Sequence, residues 1–107
     1  MNETDITPAE VAEKLSKGEA LQLIDVREPY EWSAGHIEGA EHVPLAQLPQ
    51  KLAQLDRDRV TVMICRSGGR SERARQYLRQ AGFEQVLNMT GGMQRWAREV
   101  DPTIRVA

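Results

Sequence analysis

Apolar positions in this chain come as short continuous blocks and as helically spaced sets, and the two kinds take turns along the sequence. Leu21-Gln22-Leu23-Ile24-Asp25-Val26 is mostly apolar and reads as a buried strand. Val60-Thr61-Val62-Met63-Ile64 is the clearest block. Apolar or β-branched residues in an unbroken row fit a central parallel strand covered on both faces. Gly39 to Val43 and Gln85-Val86-Leu87 predict two shorter strands. Between them lie helical patterns. Thr7-Pro8-Ala9-Glu10 combines a threonine N-cap, a proline at the first helical position and a glutamate placed to close a capping box, with Val11 and Leu15 following and Gly18 as the stop. Pro29 to Ala34 predicts a short helix closed by Gly35. Pro49 to Leu55 predicts another, with Leu48, Leu52 and Leu55 on one side. From Ser71 to about Ala81, Ala74, Leu78 and Ala81 face inward and Gly82 ends the helix; Gly91-Gly92 then introduces a last helix carrying Trp96. Strands alternating with helices imply βαβ crossovers and a largely parallel sheet, an α/β fold.

Composition adds bounds to this picture. A length of 107 residues, 40% hydrophobic and 28% charged, fits one globular domain over 1–107. No apolar run approaches the roughly 18–20 residues that span a bilayer, and residues 1–10 carry neither the basic nor the apolar part of a secretory leader. The single cysteine excludes an intramolecular disulfide and a four-thiolate zinc site. A cytoplasmic, reduced domain with no membrane partner is the expectation. The net charge is only −2, but it is unevenly spread. Residues 1–42 hold ten acidic and three basic side chains, a net of −7, whereas residues 57–79 hold seven arginines against Asp58 and Glu72, a net of +5. With aromatics at 5%, stacking platforms for nucleic acid are missing, so a small anion is the better partner for the basic stretch. Arg73, Arg75 and Arg79 read as a solvated helix face.

The chemistry concentrates at Cys65. It stands where a buried strand ends and a helix is about to begin, the end of an open α/β sheet at which ligands bind. Gly68 and Gly69 let the backbone turn tightly and aim several N–H groups at one centre. The helix starting near Ser71 adds its positive end, and Arg66 and Arg70 add fixed charge. All three effects favour thiolate over thiol. A lone cysteine after an apolar strand is often only a small buried hydrophobe, and it is this surrounding loop that changes the reading. Phosphoryl transfer and sulfur transfer both use such loops. The spacing here is C-x4-R, one residue shorter than the C-x5-R loop of cysteine phosphatases, and a narrower bowl suits a sulfur atom better than a tetrahedral phosphate.

Three segments in order carry a family resemblance: Leu23-Ile24-Asp25-Val26-Arg27 with Glu28, Tyr30, Glu31 and Gly35-His36-Ile37; Cys65-Arg66-Ser67-Gly68-Gly69-Arg70-Ser71; and Gly91-Gly92-Met93-Gln94-Arg95-Trp96. The chain resembles a single-domain rhodanese, a sulfurtransferase, from the Thr7-Pro8 helix to Trp96. The resemblance implies a central mostly parallel sheet with helices on both faces. It implies Cys65 as the nucleophile of a ping-pong cycle that takes a sulfane sulfur from thiosulfate or a similar anionic donor. A persulfide then passes that sulfur to a thiol, a sulfur-carrier protein or cyanide. It further implies that Arg66, Ser67, Gly68, Gly69, Arg70 and Ser71 bind the donor and cradle the sulfur, with no metal or organic cofactor. Arg66 is similar to the thiosulfate-preferring two-domain enzymes, whereas Ser67 is closer to the mercaptopyruvate type. Asp25 and Arg27 are expected to form a structural ion pair, and His36 to serve a structural hydrogen bond rather than a general base. His42 carries no signal, and Trp96 reads as core. Two other functions stand beside this one: a binding or regulatory module of the same fold, and a cysteine phosphatase or arsenate reductase, which the loop length disfavours.

Overall fold

The computed structural model describes residues 4–107; residues 1–3, the start of the segment expected to lack a leader, lie outside the described residues. Among the described residues five strands form one sheet: β1 (Asp5–Ile6), β2 (Gln22–Asp25), β3 (Glu41–His42), β4 (Thr61–Ile64) and β5 (Val86–Met89). Their order is β1-β5-β4-β2-β3 and every pairing is parallel, as the alternating pattern predicts. The helices are α1 (Pro8–Ser16), α2 (Pro29–Ala34), α3 (Leu48–Lys51), α4 (Gly69–Gln80) and α5 (Gly92–Glu99). Among the described residues no helix is long and apolar enough to cross a membrane.

The two central strands show why the sheet is covered on both sides. Along β2 and β4 successive side chains feed opposite cores. Ile24, Val26, Met63 and Cys65 join Leu48, Leu55, Ala74, Leu78 and Phe83 on one face, beneath α3 and α4. Leu23, Val62 and Ile64 join Val11, Met89, Met93 and Trp96 on the other, beneath α1 and α5. All eight residues of β2 and β4 are buried, and six of them are apolar or β-branched; the polar Gln22 and Asp25 are hydrogen-bonded within the fold.

Two expectations need correcting, and one strand lies outside the predicted pattern. β1 has no apolar block of its own; Asp5 and Ile6 become a strand because they pair with Asn88 and Met89 at a free sheet edge. The stretch expected as one helix from Pro49 to Leu55 is a four-residue α3 between two 3-10 turns, Leu45–Gln47 and Leu52–Gln54. So short a piece has little helical stability of its own, and no side chain caps it. The packing of Leu48, Leu52 and Leu55 on the sheet sets its path instead. Finally, α4 begins at Gly69, not Ser71. Gly68 alone takes the left-handed conformation (φ 107°), and Gly69 is already helical. The α1 capping box forms as predicted: Glu10 N–H donates to Thr7 Oγ1 at 3.1 Å, and Thr7 N–H donates to Glu10 Oε1 at 2.9 Å.

Candidate active site

β4 ends at Ile64, in register with Asp25 of β2, and delivers Cys65 to the carboxyl end of the sheet next to the first turn of α4. Chain direction therefore fixes where the thiol sits. Packing from the other side then fixes the loop. α5 arrives with Gly92, whose backbone lies so close that a Cβ there would stand 2.5 Å from the Cys65 carbonyl oxygen and 2.6 Å from that of Arg66. The close approach lets Met93 N–H donate to Cys65 O at 2.8 Å and Gln94 N–H donate to Arg66 O at 3.0 Å. Because peptide units are planar and trans, turning these two carbonyls toward α5 turns the N–H groups that follow them the opposite way. The cradle is thus shaped by α5 from outside as well as by its own glycine.

Cys65 is 1% exposed. Its Sγ accepts from Gly68 N–H at 3.0 Å and lies 3.2 Å from Ser71 Oγ. Burial pushes the thiol up. The Ser71 hydroxyl and the backbone N–H groups of Ser71, Gly68 and Ser67 outweigh that penalty, and the group is held below the ordinary cysteine value. The expected anionic cysteine is therefore supported chiefly by hydrogen bonds. Among the described residues no imidazole is hydrogen-bonded to it.

Both arginines assigned to the anion are engaged within the chain. Arg70 forms a bidentate pair with Glu31 of α2, Nη1 to Oε1 at 2.7 Å and Nη2 to Oε2 at 2.8 Å. Glu31 is 2% exposed, and the Arg70 guanidinium holds its carboxyl down to about 2. Arg70 is in turn raised, first by its bonds to Glu31 and further by the thiolate at Cys65. Arg66 is exposed; its Nε donates to Ala107 O at 2.8 Å, and the Gln94 amide, turned with its oxygen toward the guanidinium, accepts from Nη1 at 2.8 Å. Ser67 is exposed at the loop's rim, while Ser71 is fully buried beneath it.

Asp25 and Arg27 form the structural pair that the sequence suggests, both fully buried. Arg27 Nε donates to Asp25 Oδ1 at 2.9 Å and Nη2 to Oδ2 at 2.9 Å. Arg27 Nη2 also donates to Gly35 O at 2.8 Å, which ties α2 to the end of β2, while Nη1 is buried with no hydrogen-bond partner among the described residues. Charge then alternates across the site from Asp25 through Arg27, Glu31 and Arg70 to Cys65. His36 is exposed, donates from Nδ1 to Trp32 O at 2.9 Å and stacks on Trp32 with ring centroids 3.6 Å apart. His42, which the sequence leaves without a role, donates from Nε2 to Arg27 O at 2.8 Å and stacks on the same indole at 4.7 Å. Trp96 is core, at 6% exposure. Arg73 and Arg79 are exposed, Arg79 donating to Glu84 O, as befits a solvated helix face, whereas Arg75, paired with Glu72, has only 12% of its side chain exposed and departs from that expectation.

Sequence reasoning missed Glu31, Asn88 and the contact made by Gly92. For Gly92 the signal was present, since paired glycines ahead of a helix admit close backbone approach. Glu31 and Asn88 look like ordinary polar positions until the sheet brings α2 and β5 to the loop.

A thiolate cradle at the strand–helix turn of a wound parallel sheet is the class of site this fold defines. The family model for the rhodanese-like domain matches residues 7–99, and the chain belongs to that family. It is 43% identical over 98 residues to the putative sulfurtransferase YtwF of Bacillus subtilis, covering 92% of this chain and 94% of that one. It is 40% identical over 99 residues to the probable adenylyltransferase/sulfurtransferase MoeZ of Mycobacterium tuberculosis; the match takes in 91% of this chain but only a quarter (25%) of the length of MoeZ. Among solved structures, a rhodanese-like domain protein from Staphylococcus aureus superposes with a TM-score of 0.85 at 28% identity, covering 97% of this chain and 98% of that one.

Proposed function

We propose that this chain, acting as one domain over 1–107, is a sulfurtransferase in which Cys65 is the nucleophile and carries the transferred sulfur as a persulfide. The observation that carries this reading is the hydrogen-bonded environment of Sγ. Backbone N–H groups and the Ser71 hydroxyl surround a buried sulfur whose thiol is held below the ordinary cysteine value, in a loop one residue shorter than a phosphatase bowl. With thiosulfate, the Cys65 thiolate attacks the outer sulfur. A new S–S bond forms at Sγ, the donor's S–S bond breaks, and sulfite leaves with the bonding pair. In the second half, an acceptor thiolate or cyanide attacks the outer sulfur and the pair returns to Sγ. The backbone N–H groups of Ser67, Gly68 and Ser71 hold Sγ throughout, Gly69 not being among its donors, and Arg66 at the exposed rim draws in the donor anion. Arg70, neutralised by Glu31, contributes loop shape more than attraction. A small anionic sulfur donor and a thiol or sulfur-carrier acceptor are the partners this chemistry needs; neither nucleic acid nor membrane enters it. The expected setting is a reducing, cytoplasmic one. No metal or organic cofactor takes part in these steps.

The test is an intact mass after incubation with thiosulfate, for the wild type and for Cys65→Ser. A gain of one sulfur by the wild type alone is expected. No gain in folded, reduced protein with thiosulfate, a mercaptopyruvate-type donor or a polysulfide would overturn the assignment.

A further inference from the structure

The Ser71 hydroxyl has one proton and two claimants. Its Oγ lies 3.2 Å from Cys65 Sγ and 2.6 Å from Asn88 Oδ1. An amide oxygen can only accept, and the orientation of this amide is fixed because Asn88 Nδ2 donates to Gly68 O at 3.1 Å. So the short contact to Asn88 is made with the Ser71 O–H, and Sγ can receive that proton only when the hydroxyl turns away from Asn88. Both residues are buried, Ser71 fully and Asn88 at 6% exposure.

We infer that Asn88 is a positioning residue for the Cys65 nucleophile, holding the Ser71 proton while Sγ carries no negative charge and yielding it to Sγ when charge appears there. This rests on the persulfide cycle proposed above. In the free thiolate the charge is on Sγ and the hydroxyl faces it. In the persulfide the charge has moved to the outer sulfur, Sγ is neutral, and Asn88 Oδ1 is the stronger acceptor. When the acceptor attacks, Sγ becomes the leaving group, and the hydroxyl turns back as the charge returns. The hydroxyl thus changes partner in each half-reaction, with no proton leaving Ser71. Asn88 is in this sense a brake on the resting thiolate, since it competes for one of its donors.

The charged groups around the site are Arg66, Arg70 and, behind Arg70, Glu31 of α2. β5 contributes Asn88, which does not ionise. The pH dependence of Cys65 alkylation by iodoacetamide therefore reads the competition directly and needs no sulfur donor. Asn88→Leu should lower the inflection by about one pH unit, a roughly tenfold gain in the thiolate-to-thiol ratio. Gly68 O keeps its second donor, Glu72 N–H at 3.2 Å, so the loop retains an anchor. In a Ser71→Ala background, Asn88→Leu should leave the inflection where it is. An Asn88 that serves only to hold the loop predicts the opposite sign, because a loosened cradle raises the inflection. An unchanged or raised value overturns the inference. If Asn88→Leu does not fold, Asn88→Asp decides: its rise in inflection should be larger with Ser71 present than in the Ser71→Ala background, and equal rises overturn the inference. Sulfur loading by intact mass on the same variants reports separately on the persulfide cycle.

Discussion

Replacing Glu31 by glutamine keeps the shape of the side chain and removes the charge that Arg70 grips with two hydrogen bonds of 2.7 and 2.8 Å. Glu31 is almost wholly buried, and its carboxyl is lowered from 4.5 to about 2, chiefly by those bonds. A carboxylate with a depressed folded value contributes stability that is fully present above its unfolded value and lost as pH falls through the folded one. The ceiling set by this shift is about 3 kcal/mol at pH 7, and by the same linkage less than about 1 kcal/mol survives at pH 2. Urea unfolding of wild type and Glu31→Gln at a series of pH values measures the difference. Other carboxylates titrate in the same window, but they titrate in both proteins and cancel. The expected result is a gap of about 2–3 kcal/mol at pH 7 that closes between about pH 4.5 and 2. A gap below about 0.5 kcal/mol at pH 7, or one that stays constant down to pH 2, would refute the claim that α2 is tied to the active-site loop through this ion pair.

Gly92→Ala places a Cβ 2.5 Å from the Cys65 carbonyl oxygen at a φ of 58°, so stability should fall by more than about 2 kcal/mol and alkylation of Cys65 should lose its low inflection; a well-folded variant with wild-type alkylation would show that α5 does not shape the loop. Ser71→Ala removes a hydroxyl donor from Sγ, and the alkylation inflection should move up toward the free-cysteine value of about 8.5. An unshifted profile would leave the backbone N–H groups as the sole support of the thiolate. Arg27→Met strands Asp25 in a fully buried site and should cost about 3–5 kcal/mol in urea unfolding; a loss under about 1 kcal/mol would contradict a structural role for the pair. Inserting one glycine between Gly68 and Gly69 makes the loop C-x5-R and should raise turnover of an aryl phosphate, whereas a folded insertion variant with no gain would remove loop length as the determinant of chemistry.

What the sequence discloses about this fold follows from where the information lies. β2 and β4 are buried on both faces, so their positions are mostly apolar or β-branched, Gln22 and Asp25 excepted, and the run is visible without any partner. The capped start of α1 is equally local, since Thr7 and Glu10 satisfy each other's backbone. β1 is the opposite case. Two residues, one of them Asp5, become strand only because β5 offers an unpaired edge, and nothing local records that edge. The helix predicted over Pro49 to Leu55 fails for a related reason: the spacing of its leucines reports which side is buried, but the sheet decides how the backbone gets there.

The active-site loop divides along the same line. Cys65, Gly68 and Ser71 lie within one short stretch of sequence, and a cysteine with a helix start and a glycine beside it points to a stabilised thiolate. Proximity in sequence does not say which hydrogen bonds close, however. Arg70 reads as an anion ligand because a free arginine beside a cysteine is attractive to anions; Glu31, 39 residues earlier, takes that guanidinium and turns it into a strut. Asn88, 17 residues beyond Ser71, enters only because β5 lies beside β4. Gly92 reaches the loop through α5. The nucleophile and its nearest donors are thus encoded locally. Their strength is set by three elements that arrive from elsewhere in the sheet, and so tuning of Cys65 should respond to substitutions at 31, 88 and 92 as much as to changes within the loop itself.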